Sequence, residues 1–486
     1  MRETILALEN ASKSLEPDSG ERENLRNKIV HYTEDFLTNI GTRKAFEADK
    51  NKGRKIMDIA PGKDLFTVEE VIELLKETLD KEGINPASGG HLGYIPGGGI
   101  YASSLADYWA DITNRYAAVF FANPSAVRVE NRLIQWMSEI VGYPSTAHGN
   151  LTSGGSIANL TGIVTARESK GIKAAKVQQS AIYLTRQAHL SIVKALNITG
   201  LQEAVIHYIA LDESFRMDMG ALKETIATDI AHGITPFLLV GSAGTTDMGE
   251  VDPLEEMADI AAEHDLWFHV DAAYGGFFLL SDPGKEILKG IERSDSVVVD
   301  PHKGLFLPYG LGACLVRDGK KLQKAFTVHA SYLQDMTKAT EEINPMDVSP
   351  EMTKHFRGLR LWLPLMLYGS APFKACLEEK LLLAKYFCSE IQKIPGFVVP
   401  IDPRLSVVVF RYVPEMGDAN AFNKRLVEEI HADGRIFFSS TTIEGHFMLR
   451  LAILSFRTHL HTIDLTIDIL KEKVGVVQKE NVFLTL

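Results

Sequence analysis

From about residue 145 onward, short apolar runs alternate with amphipathic stretches, and no other feature constrains the fold as strongly. Ala181 to Leu184, Ala204 to Ile209, Phe237 to Val240, Leu266 to Val270, Ser296 to Val299 and Ala313 to Val316 each read as a buried strand. Helical segments fall between several of them, for example Pro253 to His264. That helix carries a start signal: Asp252 as N-cap, Pro253 at the first position and Glu255 three residues after the cap. Strands joined by helices imply an α/β fold, an open and mostly parallel sheet with helices on both faces. Ligands of such sheets bind beyond the carboxyl ends of the strands, so the residues that follow each strand deserve inspection first.

The rest of the chain frames that sheet. Residues 1 to 85 read as helical, with Leu25, Ile29, Val30, Tyr32 and Phe36 at helix spacing in Glu21 to Asn39 and a second such pattern in Thr67 to Lys81. Asn85 to Gly99 holds six glycines and two prolines and reads as a long functional loop. Beyond about residue 375, strands at Val407 to Tyr412 and Phe447 to Ala452 with helices around them form a small α+β unit. The division expected is 1–85, a helical segment; 86–374, a large domain; and 375–486, a small C-terminal domain.

Composition bounds the partners. The chain has 486 residues and a net charge of −12, which leaves no basic excess to neutralise nucleic-acid phosphates. No stretch approaches the ~18 apolar residues of a membrane span, and Met1 to Pro17 lacks the apolar block of a signal peptide. Three scattered cysteines, Cys314, Cys376 and Cys388, supply neither a disulfide framework nor a metal site. The expectation is a soluble cytoplasmic protein without a metal, a membrane anchor or a nucleic-acid partner.

Three strand-end features carry chemistry. Leu266 to Val270 runs into Asp271, and Ser296 to Val299 runs into Asp300-Pro301-His302-Lys303. Upstream, Thr152-Ser153-Gly154-Gly155-Ser156 opens a helix, and free N–H groups at a helix start make a phosphate seat. Each element alone has an ordinary reading as loop, cap or solvated charge. Together, a phosphate clamp, a strand-end Asp and a Lys in a tight turn are what pyridoxal phosphate requires: an amine for its aldehyde and a carboxylate for its pyridine nitrogen. His189, after the strand at Ala181 to Leu184, is placed to stack on a ring, and Gly244-Thr245-Thr246 follows the strand at Phe237 to Val240.

On these residues the chain resembles the group II pyridoxal-phosphate-dependent amino acid decarboxylases, the family of the aromatic-L-amino-acid, histidine and glutamate enzymes. The likeness runs from about His91 to Ala452 through Thr152-Ser-Gly-Gly-Ser156, His189, Gly244-Thr-Thr246, His269-Val-Asp-Ala-Ala273 and Pro301-His-Lys303. It implies the aspartate-aminotransferase-like fold (fold type I) and a homodimer interlocked by the N-terminal helices. It makes Lys303 the Schiff-base lysine, Asp271 the partner of the pyridinium nitrogen and His189 the stacking imidazole, with Ala273 on the opposite ring face. Thr246 would lie near the ring hydroxyl or the substrate carboxylate. Gly154, Gly155, Ser156 and His302 would hold the phosphate, and Tyr94, Pro96, Gly97 and Phe120 would border the substrate.

The chain departs from the family at two places. Asp300 stands where Asn is frequent; a carboxylate beside a phosphate is unfavourable, so Asp300 is expected to bond backbone groups or a nearby cation instead. The segment Gln334 to Phe356 contains no tyrosine, whereas aromatic-type members protonate the carbanion from a tyrosine in this loop. Members without it can let oxygen capture the carbanion and release an aldehyde; otherwise His355, Tyr332 or a partner-chain group supplies the proton, or turnover is slow. The neighbouring Phe120 and Phe121 suit an aromatic substrate, and Arg128 would suit an acidic one. The readings carried forward are an L-amino acid decarboxylase, aromatic by preference, an aldehyde synthase on the same scaffold, and a cofactor-holding protein without turnover. A nicotinamide enzyme is disfavoured, because Gly97-Gly98-Gly99 is not a strand–GxGxxG–helix turn.

Overall fold

The computed structural model describes residues 1–48, 53–328 and 342–484. The chain forms two compact units, residues 1–91 with 428–437 and residues 92–427 with 438–486.

The first unit opens with helices α1 (Arg2–Ser12) and α2 (Ser19–Thr38). A reciprocal capping box starts α2, with Asp18 Oδ1 accepting from Glu21 N at 2.9 Å and Glu21 Oε2 accepting from Asp18 N at 2.8 Å. Neither helix buries a single residue. Leu25, Ile29 and Val30, which mark the helix in the sequence, thus lie largely open to solvent.

The second unit is built on a seven-stranded sheet: β1 (His148–Thr152), β2 (Ser180–Leu184), β3 (Val205–Tyr208), β4 (Thr235–Ser242), β5 (Trp267–Asp271), β6 (Ser296–Val299) and β7 (Gly312–Val316). The spatial order is β1-β7-β6-β5-β4-β2-β3. All pairings are parallel except those of β7, which runs antiparallel to both β6 and β1. Every residue of β2, β5, β6 and β7 is buried, as continuous apolar runs covered by helices on both faces should be. The mostly parallel sheet expected from the sequence is therefore present. Its strand β1 has no apolar run, only His-Gly-Asn-Leu-Thr, and its place in the sheet is given by pairing with β7 alone.

The helices that matter for the site are α3 (Tyr101–Thr113), α4 (Pro124–Val141), α5 (Gly155–Lys170), α6 (Leu190–Ile198) and α7 (Leu254–Glu263). One cap differs from its sequence signal. Helix α7 has Pro253 as N-cap and no side-chain cap. Asp252 turns away to accept from Met217 N at 2.9 Å and Ser242 N at 2.8 Å. At 4% exposure, a carboxylate that takes two otherwise unsatisfied backbone donors gains more than one that caps a helix. A four-stranded antiparallel sheet, β8 (Phe397–Val398), β9 (Val407–Tyr412), β10 (Ser439–Ile443) and β11 (His446–Ala452), completes the unit in the order β8-β9-β11-β10.

Candidate active site

At the carboxyl edge of the large sheet lies a cavity of about 640 Å³, within the range of small-molecule sites. Strand ends bring its lining together. Asp271 closes β5, Asp300, His302 and Lys303 follow β6, His189 follows β2, and Thr246 follows β4. Because β7 is antiparallel, its leading residues Tyr309 and Gly310 arrive at the same edge. Gly154, Gly155, Ser156, Ala273 and Tyr94 also line the cavity. Pro96, Gly97 and Phe120 do not line it in the single chain. A Cβ on Gly97 would stand 2.1 Å from the His302 carbonyl oxygen, so this glycine backs the turn that carries the lysine.

Helix α5 begins without a side-chain cap, at Gly154 with φ 148°. Its first N–H groups have no intrahelical acceptor, and Gly155 and Ser156, which carry two of them, line the cavity. A Cβ on Gly155 would meet Asp300 Oδ2 at 2.9 Å, so a larger residue would fill the cradle. The Lys303 ammonium lies 3.0 Å from Asp300 Oδ2. Burial opposes its charge, but the attraction of Asp300 and Asp271 outweighs that cost and holds its pKa above the ordinary lysine range. Asp300 thus takes the cationic partner expected of it. His302 gives its Nδ1 proton to the Leu311 carbonyl at 2.6 Å. Burial pushes its pKa below the ordinary value, against the pull of Asp300.

Asp271 is 8% exposed and accepts from Asn159 Nδ2 at 2.9 Å and from Ala273 N at 3.1 Å. Asn159 is invisible as a site residue in a reading by strand ends, since it sits one turn into α5. The only local signal is a polar residue on the helix face that also carries Gly162 and Ala166. Arg450 was likewise missed. It interrupts the apolar strand β11, is 4% exposed, and gives hydrogen bonds to Asp247 O, Tyr94 O and Ser439 Oγ at 3.0–3.1 Å. Its second terminal nitrogen, NH2, has no hydrogen-bond partner among the described residues, and the side chain lines the cavity.

Other expected groups lie elsewhere. His355 pairs with Asp111 at 3.0 Å and does not line the cavity. Arg128 pairs with Glu342 at 3.2 Å. Tyr332 and residues 334–341 lie outside the described residues.

A lysine and an aspartate at neighbouring strand ends, beside an uncapped helix start in a mostly parallel sheet, define a pyridoxal-phosphate enzyme of fold type I. The residues present fit that cofactor: an amine, a buried carboxylate, an imidazole and a small alanine on the same cavity, and an uncapped helix start as anion seat. Comparison with known proteins agrees. Residues 75–413 match the family described as pyridoxal-dependent decarboxylase conserved domain. The aromatic-L-amino-acid decarboxylase of Bacillus atrophaeus is 34% identical over 393 residues, covering 79% of this chain and 82% of that one. A phenylacetaldehyde synthase of Arabidopsis thaliana is 27% identical over 375 residues, with 74% and 76% covered. The crystal structure of Catharanthus roseus tryptophan decarboxylase superposes with a TM-score of 0.87 at 22% identity, over 95% of this chain and 99% of that one. This chain belongs to the pyridoxal-dependent decarboxylase family and is a pyridoxal-phosphate-dependent carboxy-lyase.

Proposed function

We propose that the protein decarboxylates an aromatic L-amino acid to its amine and carbon dioxide, working as a cytoplasmic homodimer. The observation that carries this reading is the cavity itself, which gathers Lys303, Asp271 and His189 with a buried, incompletely bonded Arg450. Bound there, pyridoxal phosphate supplies an aldehyde for amine exchange and a ring that accepts the electron pair left when carbon dioxide departs.

The chain's own groups do the rest. Lys303 Nζ is the amine that exchanges with the substrate amine. Asp271 would accept from the N–H of the ring nitrogen and hold that nitrogen protonated. The N–H groups of Gly155 and Ser156, with His302, orient the phosphate. His189 would cover one ring face and Ala273 the other, excluding water. Arg450 NH2 is free to receive the substrate carboxylate, and bidentate or charge-assisted bonding suits an arginine. Tyr94, Ile95, Tyr274 and Tyr309 border the cavity and favour an aromatic side chain over an acidic one, the more so because Arg128 is engaged by Glu342.

The proton that completes the amine needs a donor. The Tyr274 hydroxyl is held by Ser406, with its Oγ and N both at 2.8 Å. Tyr309 lines the cavity within electrostatic reach of Lys303, and its hydroxyl is the donor this reading assigns. The second reading, aldehyde formation, is favoured by the absence of tyrosine from 334–356. A panel of aromatic, acidic and basic amino acids separates the two: amine with carbon dioxide supports the first, aldehyde with hydrogen peroxide the second, and no turnover overturns both. Tyr309→Phe should divert product toward aldehyde; an unchanged amine fraction removes Tyr309 from the role.

Exposed apolar faces support the dimer. On α3, Tyr101, Leu105, Tyr108, Trp109 and Ile112 form one exposed stripe, each at least 47% open. The exposed leucines and isoleucines of α1 and α2 support the same role for residues 1–85, with 86–374 and 375–486 as the large and small domains. Among the described residues no helix is long and apolar enough to cross a membrane. The three cysteines are unpaired, as a reducing compartment would keep them.

A further inference from the structure

A chain of buried hydrogen bonds runs beneath the cavity. Trp267, His269 and Asp271 alternate onto one face of β5, the face covered by α5. Trp267 Nε1 donates to Ser296 Oγ at 2.8 Å, and Ser296 Oγ lies 2.8 Å from His269 Nδ1. His269 Nε2 lies 2.9 Å from Asn159 Oδ1. Asn159 Nδ2 then divides: one hydrogen goes to Asp271 Oδ2 and the other to Ser191 Oγ, both at 2.9 Å. Ser191 Oγ lies 2.7 Å from His189 Nδ1, and Ser191 N donates to the same nitrogen at 3.2 Å. All of these groups except His189 are at most 8% exposed.

The polarity of this chain is determined. Asp271 accepts only, so the Asn159 amide nitrogen must face it and the amide oxygen must face His269. His269 therefore carries its proton on Nε2, and Ser296 donates to Nδ1 while accepting from Trp267, whose indole only donates. Burial pushes the His269 pKa down to about 4, which keeps a single proton on this ring. At the other end Ser191 Oγ, which accepts from Asn159, turns its own proton to His189 Nδ1 at 2.7 Å, and the longer Ser191 N–H contact at 3.2 Å asks for the same lone pair. The His189 proton is thus confined to Nε2, the nitrogen not held from below. Gly162 makes the arrangement possible, since a Cβ there would stand 2.7 Å from His269 Cε1.

We infer that Asn159 is a positioning residue whose single buried amide holds Asp271 in place for the ring nitrogen and, through Ser191, locks His189 in its Nε2–H tautomer. The inference rests on the decarboxylase reading for its consequence, but its geometry concerns the protein without cofactor. One amide sets both the electron sink and the imidazole over it, so neither can shift without the other.

The test is nitrogen-15 NMR of histidine-labelled, cofactor-free protein, with cofactor affinity measured separately. In the parent protein the His189 signals should show Nε2 protonated and Nδ1 bare; protonation on Nδ1 overturns the inference, whatever the enzyme's product. Ser191→Ala cuts only one branch. It should raise the share of the Nδ1–H tautomer of His189, opposed then only by the longer Ser191 N–H contact, while leaving cofactor affinity within about twofold. Asn159→Leu cuts both branches and should in addition weaken cofactor binding by about tenfold or more, roughly the worth of one charge-assisted hydrogen bond. Unchanged His189 signals in Ser191→Ala overturn the relay even if Asn159→Leu fails to fold. Unchanged affinity in a folded Asn159→Leu protein overturns the hold on Asp271. Product analysis decides the decarboxylase reading independently of all these signals.

Discussion

Two buried carboxyl groups border the same sheet edge and are treated in opposite ways. Asp271, at the end of β5, meets two fixed N–H donors, Asn159 Nδ2 and Ala273 N. Glu250, in the turn after β4, is fully buried, yet neither of its side-chain oxygens meets a hydrogen-bond donor among the described residues. Its nearest cation is Arg404, with Nε at 3.4 Å. Burial pushes the Glu250 pKa up to about 7, against the pull of Arg404 and Arg216. The contrast teaches how charge is placed in this protein. Where Asp271 faces the cofactor site, two preorganised donors meet it. Where a carboxyl only fills space, burial favours its neutral form, and its backbone does the work: Glu250 O accepts from Gly244 N and Thr245 N, holding the turn that presents Thr246.

The contrast can be broken most severely at Asp271. Asp271→Asn keeps the shape and the phosphate seat but removes the charge, and turnover should fall by on the order of 10²-fold or more, with a far smaller change in cofactor affinity. Steady-state rates with a cofactor titration decide it, and equal turnover would make the two carboxyl groups equivalent.

Stability against pH tests the other side. A glutamate whose folded pKa is raised binds its proton more tightly when folded, so its contribution is present below the unfolded value of 4.5 and is lost as pH rises through about 7. Glu250→Gln should abolish that loss and stabilise the protein at pH 8 relative to the parent by on the order of 2 kcal/mol. Denaturant midpoints at pH 5 and pH 8 measure it; parallel shifts at both pH values would mean that Glu250 is charged throughout.

His269, beside Asp271, should tilt the profile the opposite way. Its folded pKa is lowered from 6.5 to about 4, so its contribution is complete above 6.5 and is lost as pH falls toward 4. His269→Gln should flatten the acid limb of the stability profile between these values. An acid limb as steep as the parent's would show that other groups titrate there. The smallest effect belongs to Arg404, whose side chain is 42% exposed and largely screened. Arg404→Met should move the upper limb of the profile slightly to higher pH, by a few tenths of a pH unit, without altering turnover.

Much of this architecture was legible in the chain. Apolar runs of four to six residues with helices between them announced the sheet, because a strand buried on both faces has no choice but to be apolar along its length. Asp271, Lys303 and the glycine turn at 154–155 were legible because chemistry in a parallel sheet is placed by strand ends, and strand ends are local. Strands β1 and β10 were not, since their polar residues are accommodated by neighbours supplied from distant sequence. The cap at Asp252 failed for a related reason: the local signal was correct, but two backbone donors from elsewhere in the fold competed and won.

What the sequence by itself determined is the layered fold, the cofactor class and the strand-end placement of the amine and carboxylate that line the cavity. Tertiary structure alone decided which groups support them. Asn159 reaches Asp271 across 112 positions of sequence, and His269 reaches Asn159 across 110. Arg450 enters the cavity from the four-stranded sheet. Period-two alternation states which face of a strand a side chain takes, but not which helix covers that face or which of its residues arrives there. Hydrogen bonds are short and directional, so partners of this kind are chosen by packing at ångström scale, a distance no spacing along the chain encodes.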